Sequence, residues 1–163
     1  MKKLHTPFLF IICLLLSNAT LIAQCPNNNV ISPSGGDLTP TGQGNTQTNC
    51  CIWAGEYSYV NVISGVDYRF STCSSPSATD TYITLRKNDD ASVQGFSNVN
   101  ECGMGTVHEE MDLTAGFTGQ LNVLIDDGSC GHDATNRTLS VTQLTAALPV
   151  EITYFQAYPT TER

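Results

Sequence analysis

The stretch Val66-Asp67-Tyr68-Arg69-Phe70-Ser71 decides the fold. Val66, Tyr68 and Phe70 alternate with Asp67, Arg69 and Ser71, the period of two that gives a strand one apolar face and one wetted face. The same signal recurs on both sides. Glu56 to Ile63 is rich in β-branched and aromatic residues and ends at the turn pair Ser64-Gly65. Tyr82-Ile83-Thr84-Leu85 reads as a strand closed by Asn88-Asp89-Asp90, and Ser92 to Phe96 as a weak edge strand broken at Gly95. Met111 and Leu113 alternate before Ala115-Gly116, and Leu121, Val123 and Ile125 before the turn Asp126-Asp127-Gly128. A last strand runs from Arg137 to Val141 with Leu139 and Val141 inward. These make about seven or eight short strands at spacings near the 8 to 12 residues of a sandwich. The linkers are too short for crossover helices, so the pairing is expected to be antiparallel. The expected fold is all-β: a jelly-roll-like antiparallel β-sandwich stapled by disulfides.

The chain has 163 residues, a formal net charge of -8 and only 13% charged residues. A length and balance of this kind exclude a multidomain enzyme and a nucleic-acid binder. Thr, Ser and Asn number 20, 13 and 12, which favours strands and turns over helices. Residues 1–23 read as a signal peptide: Lys2 and Lys3 are the basic start, Pro7 to Leu16 the apolar run, and Leu21-Ile22-Ala23 the cleavage site before Gln24. Ser17, Asn18 and Thr20 interrupt the roughly 20 apolar residues a membrane anchor needs. Gln24 stands where a lipobox before Cys25 wants a small residue, which disfavours lipidation. With the signal removed, five bases face 15 acids, a net charge of -10, and no second apolar span holds the chain in a bilayer.

Cysteine usage agrees with export. Cys13 leaves with the signal, and Cys25, Cys50, Cys51, Cys73, Cys102 and Cys130 remain as an even set suited to disulfides. No CxxC pair accompanies them, and the remaining histidines are His108 and His132, so zinc is the weaker reading. A bond between the adjacent Cys50 and Cys51 is disfavoured, because it strains the intervening peptide. Each is expected to reach a distant partner, with Cys73 joined to Cys102 and Cys130 to one of Cys50 and Cys51. The resulting organisation is a loosely ordered lead-in over 24–52 with room for one short strand, a sandwich over 53–143, and a linker with the start of a truncated C-terminal segment over 144–163.

Trp53-Ala-Gly-Glu-Tyr-Ser-Tyr-Val-Asn-Val62, Gly65-Val-Asp-Tyr-Arg-Phe-Ser-Thr-Cys73, Asp80-Thr-Tyr-Ile-Thr-Leu85, Glu101-Cys-Gly103, Phe117 to Asp126 and Cys130-Gly131 occur in that order. Together they resemble the β-sandwich modules repeated in secreted Bacteroidetes proteins, akin to the bacterial pre-peptidase C-terminal domain, over roughly residues 53 to 142. Leu148-Pro-Val-Glu-Ile-Thr-Tyr-Phe155 looks like the segment that precedes a type IX secretion sorting domain, but none follows before Arg163. The resemblance implies a non-catalytic accessory or adhesion module, secreted or at the cell surface, or periplasmic if the sorting domain is truly absent.

The residues point the same way. His108-Glu109-Glu110 lacks the HExxH spacing, because position 112 is Asp, and no GxSxG occurs. His108 reads as a solvated loop histidine and His132 as part of a turn. Asp89, Asp90, Glu101, Asp126 and Asp127 fall at strand ends, where loop carboxylates and carbonyls could supply the oxygens calcium requires, although no EF-hand spacing is present. No cofactor is expected beyond the calcium that these acids could hold. Trp53, Tyr57 and Tyr59 are the candidate binding face for a cell-surface glycan or protein, against the commoner role of a sandwich tryptophan in the core. The alternatives to an accessory module are the N-terminal fragment of a secreted hydrolase and a calcium-dependent binder. The oligomeric state is left open.

Overall fold

Alternation along the sequence becomes alternation in burial. The computed structural model describes residues 25, 30–103 and 107–147, among which nine strands form. They are β1 (Val30–Ile31), β2 (Thr46–Ala54), β3 (Glu56–Val62), β4 (Asp67–Ser71), β5 (Tyr82–Lys87), β6 (Val93–Ser97), β7 (Glu110–Thr114), β8 (Gly119–Asp126) and β9 (Asp133–Gln143). One sheet has the order β1-β3-β8-β5-β6 and the other β2-β9-β4-β7. Their inner faces enclose the core, in which Val60, Tyr68, Phe70, Ile83, Leu85, Leu121, Ile125, Leu139 and Val141 are fully buried. Asp67 and Arg69 stay half-buried on the other side of β4. The Tyr68 ring fills core volume while its hydroxyl accepts the Ile63 backbone N–H at 3.0 Å, and burial pushes that hydroxyl's pKa up.

Three features depart from the sequence reading. Thr46–Ala54 is a nine-residue strand, whereas the sequence reading started the sandwich at Trp53 and allowed only one short strand before it. It was hidden because β2 is an edge strand whose outward positions are polar, leaving few apolar residues to show a period. The pairing is not wholly antiparallel: Val30 and Ile31 run parallel to Glu56 and Tyr57, and a parallel bridge joins Leu38 to Val60. The intervening excursion through β2, in the opposite sheet, returns the chain in its original direction, so the parallel contact needs no crossover helix. Arg137 shares the inward parity of Leu139 and Val141 and is fully buried. It is accommodated at the end of the sandwich by Asp133, which it grips with two hydrogen bonds of 2.7 and 2.9 Å.

Cys73 and Cys102 are bonded, as expected, but the partner of Cys130 is Cys25. Cys50 and Cys51 are free thiols. The expected bond from Cys130 to this pair fails because Cys50 and Cys51 lie on the edge strand of the four-stranded sheet and are exposed there. Cys25 instead lies by the five-stranded sheet, where its carbonyl accepts Arg86 Nη2 at 2.8 Å. The readings of residues 1–23 and of Leu148 to Phe155 lie outside the described residues.

Phe70 is fully buried between the two inner faces. Phe70→Ala should therefore lower the free energy of unfolding by about 3 to 5 kcal/mol, read from urea denaturation followed by circular dichroism. A loss under about 1 kcal/mol would mean that Phe70 is not packed as described.

Candidate functional site

The reversal between β2 and β3 sets the directions in which the aromatic candidates point. Gly55 has φ +89° and passes so close to the His132 ring that any Cβ would collide with it. Around this corner the Trp53 backbone N–H donates to Glu56 Oε2 at 2.9 Å, and the Gly55 N–H donates to the Ile125 carbonyl at 2.8 Å. The chain thereby leaves one sheet and enters the other within a single residue.

Ile52 and Ala54 face inward, so Trp53 faces out from the four-stranded sheet, with 46% of its surface exposed. Its indole N–H donates to Asn136 Oδ1 on neighbouring β9 at 2.8 Å, which holds the ring against a strand rather than leaving it free. Beside it on the same outward side of β9 lie Thr138, Ser140 and Thr142, a hydroxyl-bearing row. Farther across, Arg69 makes a two-pronged pair with Asp112 at 2.8 and 2.9 Å and a contact with Glu110 at 3.3 Å. Tyr57 and Tyr59 point away from Trp53. They face out from the five-stranded sheet, half-buried, with their rings edge to face at 5.3 Å and their hydroxyls 3.4 Å apart. Tyr57 and Tyr59 therefore share a face, as expected, while the third candidate, Trp53, lies on the opposite sheet.

The β2 strand carries an irregularity just before Trp53. Asn49 pairs with Leu139 and Ile52 with Arg137, so three steps on β2 oppose two on β9. Asn49 faces in, where its amide donates to Ser58 Oγ at 2.7 Å, and Ile52 also faces in. Cys50 and Cys51 both fall between them and are both exposed. Cys51 adopts φ +67°, and its thiol lies 2.9 Å from the Cys50 sulfur. That contact pushes the Cys51 thiol above its ordinary pKa. The Ser34 hydroxyl donates to the Cys50 carbonyl at 2.9 Å.

The acidic candidates separate as well. Asp89 and Asp90 occupy the β5–β6 turn with Lys87 Nζ at 2.9 and 3.7 Å. The Ser92 hydroxyl and N–H hold the Asp90 carboxyl below the usual range. Asp126 and Asp127 sit at the opposite end of β5, because Tyr82 pairs with Asp126 whereas Lys87 pairs with Leu121. Five residues of strand put roughly 17 Å between the two ends. Glu101 is exposed on the loop after β6, at the Asp126 end. The Asp127 carboxylate is occupied locally by the Ser129 N–H, the Ser129 hydroxyl and the Gly131 N–H at 2.6 to 2.9 Å. Burial pushes its pKa up, but these hydrogen bonds overbalance that effect and hold it low. It lines a hollow of about 390 Å³ with Thr79, Asp80, Gly128, Ser129 and Asp133. Among the described residues no three His, Cys, Asp or Glu side chains converge closely enough to hold a metal ion.

Two buried groups had no sequence signal. His108, expected in solvent, is buried, with Nδ1 lacking a hydrogen-bond partner among the described residues. Its neighbour Glu109 is fully buried and accepts the Ser97 hydroxyl at 2.6 Å and the Val99 and Asn100 N–H groups at 2.9 and 3.0 Å. Glu109 thus anchors the loop that carries Cys102, while the adjacent Glu110 remains at the surface with Arg69. Nothing in the local sequence distinguishes the two glutamates.

Comparison with known proteins gives three findings. A family model described as Domain of unknown function (DUF8695) matches residues 46–148. No curated protein matches. Among solved structures, the pre-peptidase C-terminal domain of collagenase from Bacillus anthracis is similar at 15% identity, with a TM-score of 0.41, covering 72% of this chain and 99% of that one.

The Arg137 side chain holds the Asp133 carboxyl down at about 2, from an ordinary 3.8. A carboxyl whose pKa is depressed by folding contributes stability that is fully present above its unfolded value and lost as pH falls through its folded value. Asp133→Asn should cost about 1 to 2 kcal/mol at pH 7, after discounting for the partial exposure of Asp133. The gap from wild type should close as pH falls through about 2. Denaturation of both proteins at several pH values checks this; a gap that is independent of pH would rule out the ion pair as its source.

Proposed function

We propose that this chain, which belongs to the DUF8695 family, is a non-catalytic binding module of a secreted or cell-surface protein. Its contact surface is the outward face of the four-stranded sheet around Trp53. The observation that carries this reading is the exposure of the chain's one tryptophan on a strand, with its indole held in place by Asn136. A large aromatic fixed in water forgoes its burial in the free protein and recovers it when a partner covers the ring, which is why tryptophan is concentrated at binding hot spots.

The partner chemistry that fits is a neutral, hydroxyl-rich glycan. The row beside Trp53 offers the Asn136 amide and the hydroxyls of Thr138, Ser140 and Thr142, while the nearby charges of Arg69 and Asp112 already neutralise one another. A net charge of -10 after loss of residues 1–23 argues against an anionic partner. The non-catalytic part of the reading is supported by the two described histidines, since His108 is buried and His132 packs against Gly55. Two disulfides are compatible with an extracellular location.

The test is affinity electrophoresis of the purified protein through gels containing neutral cell-surface polysaccharides, with Trp53→Ala alongside. Wild type should be retarded by at least one of them, and Trp53→Ala should bind about 30-fold more weakly, the size of a 2 kcal/mol hot-spot loss. Because the side chain is exposed, the variant should keep the wild-type melting temperature to within a few degrees. Equal retardation of the two proteins would defeat the assignment of Trp53.

A further inference from the structure

Cys50 and Cys51 have no role in the binding reading, yet their geometry is unusual for neighbours in a strand. Successive side chains of a regular strand point to opposite faces. Here the extra residue between Asn49 and Ile52 places both thiols outward, and the positive φ of Cys51 brings the sulfurs to 2.9 Å, closer than two unbonded sulfurs normally approach. The four other cysteines of the described residues are already paired with each other. The pair is exposed, so an external reagent can reach it.

We propose that Cys50 and Cys51, whose bond the strain of the intervening peptide would disfavour in a regular strand, are a redox site that closes into a vicinal disulfide at this bulge when the chain enters an oxidising compartment, and that this bond is more labile than the shielded Cys25–Cys130 bond. The oxidant is a disulfide-bearing thiol oxidoreductase. One cysteine thiolate attacks a sulfur of the oxidant's disulfide, breaking that S–S bond and forming a mixed disulfide. The neighbouring thiolate then attacks the protein sulfur of the mixed bond, which forms the Cys50–Cys51 bond and expels the oxidant as a dithiol. The two cysteine sulfurs are oxidised, the oxidant's disulfide is reduced, and the two thiol protons end on its sulfurs. The reverse exchange, with an external dithiol, reopens the ring. An exposed disulfide is reduced before a shielded one, and Cys25 of the Cys25–Cys130 bond is fully buried. The ring lies two residues from Trp53, roughly 7 Å along the strand. Its state would therefore be felt at the indole, although the proposal does not depend on what Trp53 binds.

The experiment uses the full chain exported into an oxidising compartment, alkylated without reductant and cleaved before aspartate. Cleavage at Asp37 and Asp67 isolates residues 37–66, whose only cysteines are Cys50 and Cys51. The expected result is an unalkylated, uncrosslinked fragment lighter than the dithiol by two hydrogen atoms. Mild reductant before alkylation should then label both cysteines of this fragment while the Cys25–Cys130 disulfide stays intact, and should change the emission of Trp53. Two alkylated cysteines in the unreduced sample would overturn the proposal. So would a fragment cross-linked to a peptide carrying Cys25 or Cys130, or labelling of Cys25 and Cys130 first. Cys50→Ser serves as the control: it should leave one alkylatable thiol at Cys51 and abolish the response of Trp53 emission to reductant.

Discussion

The absence of a side chain at Gly55 is the constraint on which the arrangement of this protein depends. With His132 filling the space a Cβ would need, the chain turns there from the end of β2 directly into β3, one strand in each sheet. The residues on either side are tied across the same corner, Trp53 to Glu56 and Gly55 to Ile125. Because the two strands belong to opposed layers, their outward residues face in opposite directions. Trp53 is thereby set on one surface, and Tyr57 and Tyr59 on the other.

The core that the corner closes is conventional in composition, but its end is not. Arg137 occupies an inward position of β9 and is fully buried, a placement tolerable only because Asp133 satisfies two of its N–H groups and Thr135 and Thr79 take others. At the loop after β6, the buried carboxylate of Glu109 is satisfied by one hydroxyl and two backbone N–H groups rather than by a cation. Both arrangements convert a burial cost into positional control: the first sets residues 133–137 at the start of β9, and the second the loop carrying Cys102. The disulfides then restrain what these polar networks position.

The bulge in β2 has a different character. A regular strand would have put Cys50 and Cys51 on opposite faces, one of them in the core. The extra residue instead keeps Asn49 and Ile52 inward and sends both thiols to the surface, close to Trp53. Whatever partner the outward face meets therefore meets an aromatic ring and a sulfur pair carried by the same strand.

The alternation in Val66 to Ser71, Glu56 to Ile63 and Leu121 to Ile125 was sufficient to establish strands, their buried faces and a two-layer all-β fold, since burial on one face of a pleated strand follows directly from a period of two. The edge strand β2 was not legible in this way, because an edge position demands so few apolar residues that no period shows. Nor could a local reading separate Glu109 from Glu110, pair Cys25 with Cys130, or divide Trp53 from Tyr57. Those outcomes depend on which groups distant parts of the chain bring near one another, and hence on satisfying buried polar atoms and closing two sheets around one corner. Spacing along the chain encodes the face of a residue within its own strand; only the packed sheets decide what that face meets.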